Sequence, residues 1–180
     1  MQIQTDIFIA QLIEQIRTQL NKVEQYKSLT PKALNQKATN DSWSVLECIE
    51  HLNLYGDFYV PAIRESIHAS KNHASRIYKS GFLGNYFVKS MEPKDKLNRM
   101  KTFKDKYPAS SLNTNVLDRF IGQQKDYLDL LEEAKKINLV KTKTRITLTQ
   151  FLKLRIGDTF RFILAHNDRH LVQADQALAS

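Results

Sequence analysis

The sequence predicts an all-α protein, a four-helix bundle with a long crossover connection between its second and third helices. Two observations carry this expectation. Apolar residues recur at steps of three and four in four separate segments, which is the spacing of one helix face. The 180 residues also hold only five Gly and four Pro, and no stretch gathers them into a linker, so long segments are free to run as uninterrupted helix. A chain of this length can bury a real apolar core without disulfides, and residues 1–180 are read as a single domain.

The first helix is read from Ile9, Leu12, Ile13, Ile16, Leu20 and Val23, with Gln, Glu and Arg between them, and Thr30-Pro31 closes that region. Residues 31 to 42 are polar and are read as a connection. Ser44-Val45-Leu46-Glu47 then has the form of a capping box, in which the serine hydroxyl accepts from an early backbone N–H and the glutamate reaches back to the cap. The second helix starts there, shows Leu46, Ile49, Leu52, Tyr59 and Ile63 as periodic apolar positions, and is expected to run to about residue 70 with Pro61 inside it. From His73 to Ser111 the pattern weakens around Gly81, Gly84, Pro93 and Pro108, with room for one short helix at Phe82–Met91.

The third helix follows from Leu112, Val116, Phe120, Tyr127, Leu128 and Leu131. A Lys/Thr-rich segment, Lys141–Arg145, is read as a solvated loop. The fourth helix carries Leu152, Ile156, Thr159, Ile163, His166, His170, Gln173 and Ala177 at alternating steps of four and three, a seam expected to face its neighbours.

The single cysteine, Cys48, has no intramolecular disulfide partner, and no apolar run approaches the roughly 18 residues that span a bilayer. The first residues place Asp6 and Glu14 among apolar ones, unlike a signal peptide, so a cytoplasmic protein with no membrane role is expected. The formal net charge of +8 would suit an anionic partner, but the Lys and Arg residues are dispersed and no base-reading motif accompanies them, so nucleic acid is not the expected partner.

His166 and His170 are four apart on the fourth helix, so two imidazoles project from one face at neighbouring turns, a spacing that suits chelation of one cation. The pair falls on the inward seam, where bare imidazoles lose hydration unless hydrogen-bonded or metal-bound. The competing reading is one core histidine satisfied by a hydrogen bond beside one exposed histidine. A third imidazole would decide between them. His51 is the best candidate, since it lies on the stripe Cys48, His51, Tyr55, Phe58 of the second helix, whereas His68 and His73 are read as solvent-facing.

The segment Trp43-Ser44-Val45-Leu46-Glu47-Cys48-Ile49-Glu50-His51-Leu52 resembles the W-S-x-x-E-x-x-x-H-L stretch of DinB-like proteins. Likewise, His166-Asn167-Asp168-Arg169-His170-Leu171-Val172-Gln173 is similar to their H-x-x-R-H-x-x-Q ending. The resemblance covers nearly the whole chain in order and length, except that the 73–111 connection matches no family motif. It implies a DinB/YfiT-like four-helix bundle, frequent homodimers, and a nickel-, zinc- or iron-type divalent ion held by His51, His166 and His170. It also implies metal-dependent hydrolase or thiol transferase chemistry on a small-molecule substrate, with a low-molecular-weight thiol as a candidate.

Three neutral imidazoles leave a tetrahedral zinc one open position, or an octahedral ion three, where a bound water or thiol would ionise more readily. Glu47, one turn before His51, is the candidate for orienting that imidazole or taking a proton, although the capping box gives it a rival task that accounts for it fully. Trp43 is read as a staple at the start of the second helix, Cys48 as a small buried apolar residue, and Arg169 as a surface ion-pair former. Gln173 and Tyr55 are candidates for contact with a ligand imidazole and with the pocket. The alternative function is a non-catalytic, metal-binding stress-response protein. A bundle with nucleic-acid affinity would rest on charge alone.

Overall fold

The computed structural model describes residues 1–93, 102–110, 112–147 and 149–179. In chain order it consists of β1 (Gln2–Gln4), α1 (Thr5–Tyr26), α2 (Pro31–Asn35), α3 (Val45–His68), β2 (Ile77–Lys79) and α4 (Phe82–Met91). A single 3-10 turn (Lys104–Lys106) follows, then α5 (Asn115–Ala134), β3 (Lys143–Ile146), β4 (Thr149–Arg155) and α6 (Ile156–Leu178). The protein is mostly helical, as the predicted class requires. The four long helices α1, α3, α5 and α6 answer to the four expected segments, and α5 and α6 each pack against both α1 and α3.

The stripes that defined these helices are what they bury. Ile9, Leu12, Ile16 and Val23 of α1 meet Val116, Phe120, Tyr127 and Leu131 of α5 in the interior. The capping box of α3 is complete: Ser44 Oγ accepts from the Glu47 amide at 3.3 Å, and Glu47 Oε2 accepts from the Ser44 amide at 2.8 Å. Pro61 does not end the helix. It sits on the exposed face, where loss of one backbone hydrogen bond costs least.

Three sequence expectations are corrected. The polar 31–42 stretch contains α2, started by Pro31 behind a Thr30 cap that accepts from the Ala33 amide at 3.2 Å, with Leu34 fully buried. The Lys141–Arg145 segment is not a solvated loop but leads into β3, which pairs antiparallel with β4. Its lysines point out while Thr142, Thr144 and Ile146 are buried, and Thr144 Oγ1 donates to the Ala62 carbonyl at 3.1 Å. Residues at period two, half of them β-branched, lay one face on α3, so the strand reading wins over the charge run. Leu152 accordingly belongs to β4, and the fourth helix begins only at Ile156.

The long connection between the second and third long helices is built rather than loose. β2 pairs with β1, α4 occupies the expected Phe82–Met91, and α4 packs on α6; residues 94–101 and 111 of the connection lie outside the described residues. Asp158, in the first turn of α6, anchors it. The Tyr78 hydroxyl donates to Asp158 Oδ1 at 2.5 Å and the Gly81 amide to Oδ2 at 2.8 Å, while Tyr78 stacks on Phe8. A Cβ on Gly84 would lie 2.4 Å from Asp158 Cγ, so only glycine lets α4 approach this closely. Asp158→Ala strands a buried hydroxyl and an amide, and is expected to destabilise the protein by about 2–4 kcal/mol in urea unfolding. Asp158→Asn, which keeps an acceptor for Tyr78, should cost less.

Candidate metal centre

The three histidines singled out in the sequence come together. His51 projects from α3 and His166 and His170 from successive turns of α6, all three buried, with candidate ligand nitrogens within 4.8 Å of one another. His51 Nε2 lies 3.3 Å from His166 Nε2, and His170 Nε2 lies 3.1 Å from the same atom. Nitrogens bound at about 2.1 Å to one ion, at tetrahedral or octahedral angles, stand roughly 3.0–3.4 Å apart. Those two separations fit.

The outer nitrogens decide the protonation of the inner ones. His51 Nδ1 is 2.7 Å from the Lys106 carbonyl, which can only accept, so Nδ1 carries the hydrogen and the neutral ring keeps its lone pair on Nε2. His170 Nδ1 stands 2.9 Å from Gln173 Oε1 and is held in the same tautomer. Two lone pairs therefore face His166 Nε2, which can offer at most one proton. A cation satisfies all three at once, so the donor set fits a divalent ion.

Burial keeps the rings neutral. It lowers His51 to about 4, an effect opposed by the Lys106 carbonyl and reinforced by the Lys106 charge. His166 and His170 lie well below the ordinary histidine range, first through burial, then through their histidine neighbours and Arg169. Neutral imidazole is the form that binds metal.

The rotation of α6 that aims this pair at α3 is fixed on its opposite side by two side-chain amides of α1, the buried Gln19 and the partly buried Gln15. Gln19 Nε2 donates to the Leu164 carbonyl at 3.0 Å and to Asp168 Oδ1 at 2.6 Å, Gln15 holds Asp168 Oδ2 at 2.5 Å, and Asn167 donates to Gln19 Oε1 at 3.0 Å. A turn of α6 in either direction would strand these groups. The pair lies between two apolar clusters, one around Phe162, Ala165 and Tyr59, the other around Ile49, Leu52 and Leu171.

The remaining sequence candidates divide. Tyr55 reaches the site, its ring centroid 4.6 Å from that of His166 and 5.0 Å from that of His51, and Gln173 holds His170 as expected. Glu47 does not reach it: one carboxylate oxygen closes the capping box and the other pairs with Lys37 at 2.7 Å. Cys48 is buried with its thiol pushed up by desolvation, and it lies outside the ligand group. His68 and His73 are exposed, His68 against Glu133.

Two readings are corrected here. Trp43 is more than a staple at the helix start, because its ring stands 4.8 Å from His51, 5.6 Å from His170 and 5.6 Å from Tyr107. Arg169 is 6% exposed rather than a surface residue. A seam only two positions wide underestimates how much of α6 is covered when α1, α3 and α4 all pack on it. Sequence reasoning missed Lys106 and Tyr107 altogether, since nothing in a Gly/Pro-interrupted stretch marks which residue returns to the site. Lys106 is tied down twice, its carbonyl taking His51 and its Nζ donating to the Leu54 carbonyl at 3.0 Å.

The model of the DinB superfamily matches residues 12–174, a span that includes all three histidines. Neither a curated protein nor a solved structure matches the chain.

Two outcomes follow from this geometry. Lys106→Met loosens the carbonyl that fixes His51 and is expected to weaken zinc or nickel binding about tenfold in a chelator competition, with Lys106→Arg restoring part of it. In metal-free protein, the unfolded chain takes up protons below about pH 6.5 while the buried rings resist. Stability present above that pH is therefore lost as pH falls toward 4, with His51 alone contributing roughly 2–3 kcal/mol to the difference between pH 7.5 and 4.5. His51→Gln should flatten that dependence in denaturant titrations.

Proposed function

Because the chain belongs to the DinB superfamily, we propose that it is a divalent-metal-dependent enzyme, a thiol S-transferase or hydrolase acting on a small substrate. The observation that supports this most is the convergence of three neutral imidazoles whose Nε2 atoms have no common partner but a cation. An ion held by three histidines supplies a Lewis-acidic centre with coordination positions to spare, able to ionise a water or a thiol near neutral pH.

The chain's own residues do the rest. Lys106 and Gln173 keep the rings of His51 and His170 aimed inward. His170 is the least buried of the three at 8% exposed, and on its side Trp43, in edge contact with the exposed Tyr107, offers an apolar surface to a substrate. Phe162, stacked parallel to His166, closes the opposite side to water. Burial raises the Tyr55 hydroxyl to about 12, so it stays protonated and acts as a hydrogen-bond donor to bound substrate rather than as a base.

One observation favours a second reading, a non-catalytic metal-binding stress-response protein. Both oxygens of Glu47, the acid of the capping motif, are already engaged, one by the helix cap and the other by Lys37. Two measurements separate the readings. Protein purified without a histidine tag after growth with nickel, zinc, iron and manganese should carry stoichiometric metal, and His166→Ala should lose more than about a hundredfold in affinity. Addition of a low-molecular-weight thiol should then perturb the spectrum of the cobalt- or nickel-substituted protein and support turnover of an electrophile. Metal without any thiol response or hydrolysis would leave the binding role, and absence of metal would remove both.

A further inference from the structure

A concave surface lies at the other end of α3 from the histidines. His51 is near the helix start, whereas this groove, of about 530 Å³, is formed where the helix ends and the β3–β4 hairpin packs beside it. At 1.5 Å per residue the two are separated by about 27 Å along the helix between residues 51 and 69. The volume falls in the range of small-molecule sites.

The lining is strongly basic. Lys71, Lys141, Lys143, Arg145 and Lys153 all border the groove, against a single acid, Glu65. Glu65 pairs with Arg145 at 3.5 Å. Among the described residues, the side chains of the four lysines have no ion-pair or hydrogen-bond partner. Several basic side chains elsewhere are matched, as in Lys22–Asp175, Lys27–Asp118, Lys37–Glu47 and Arg119–Glu50, while others, such as Lys32 and Lys125, stand singly on the exposed surface. Five basic residues against one acid thus border this concave surface, and a cleft of one sign focuses its field.

The hairpin register is an independent observation. Lys143 stands directly opposite Arg155, and Arg145 directly opposite Lys153. Directly opposed like charges destabilise an antiparallel pair, yet here two such pairs follow one another on the same face. Arg155 finds relief by donating to the Lys79 carbonyl at 2.7 Å, and Arg145 through Glu65, while Lys143 and Lys153 turn toward the groove with no acid to meet them. A sheet face that retains such repulsion is one that an anion would stabilise.

We propose that this groove binds a small polyphosphorylated anion. Four unmatched ammonium groups call for more charge than a single carboxylate or monoester brings, and lysine serves phosphate as a mobile point charge with three donors. The buried Thr142 hydroxyl is taken by Ser70 at 2.7 Å, so selectivity comes from charge and shape rather than from hydroxyl donors on the floor.

The test is calorimetric titration of the metal-loaded protein with pyrophosphate and with tripolyphosphate at 0.15 M salt. Saturable binding is expected, weakened at least tenfold in Lys141→Gln/Lys143→Gln and changed less than twofold in Lys32→Gln/Lys125→Gln, whose exposed lysines lie outside the groove. Metal content should be equal in all three proteins, which separates this site from the histidine centre. Without anion, the Lys141→Gln/Lys143→Gln protein should melt no lower than the parent, because repulsion is relieved. Pyrophosphate binding with retention on vesicles of phosphorylated inositol lipids would assign the phosphate to a headgroup, and binding without retention to a soluble ligand; either supports the site. No saturable binding, an equal loss in both double variants, or binding of a single-stranded oligonucleotide but of neither small anion would overturn it.

Discussion

Three imidazoles that share a buried point are the constraint round which the rest of this protein is arranged. Each ring was withdrawn from water and so became neutral, and the Nδ1 atoms of His51 and His170 are bonded outward, which leaves lone pairs directed at His166. In an apolar interior that arrangement is costly unless a positive centre completes it. The geometry is consequently one that α3 and α6 must be forced to adopt, and much of the surrounding structure does the forcing.

That work is divided between polar and apolar contacts. On α6, Asn167 and Asp168 face α1 and lock the rotation of the helix through Gln15 and Gln19. On α3, the capping box fixes where the helix starts and hence the height of His51. Asp158 holds Tyr78 and Gly81 of the connection on α6, and the later part of that connection returns at Lys106 to take the His51 ring. A group of three histidines that could hold a metal ion is thus completed by a backbone carbonyl from a segment that has little secondary structure of its own, the kind of outer contact that sets ring orientation.

The ends of α3 differ in character. Near its start, the rings of Trp43 and Tyr55 lie against neutral imidazoles, with Tyr107 packed behind Trp43. Beyond its end, lysines of the β3–β4 hairpin and of the loop at Lys71 leave charge unmatched in a groove. The donor chemistry of the first could hold a soft or borderline cation, whereas the second presents a cleft of one charge sign.

Much of this was readable in the sequence. The apolar stripes located the four long helices, Ser44 and Glu47 marked the start of α3, and the His166–His170 spacing put two imidazoles on one face, because each depends only on residues within one or two helical turns. His51 needed the family resemblance to join them, since its partners lie more than a hundred residues away. Tertiary structure alone decided the roles of Lys106 and Tyr107, moved Trp43 from a helix staple to a wall of the site, and buried Arg169, because these follow from which elements meet rather than from any period along the chain. The Lys/Thr alternation of β3 was present in the sequence but resembled a solvated charge run. Only its packing on α3, with Thr144 bonded to Ala62, distinguishes a strand from a loop of the same composition.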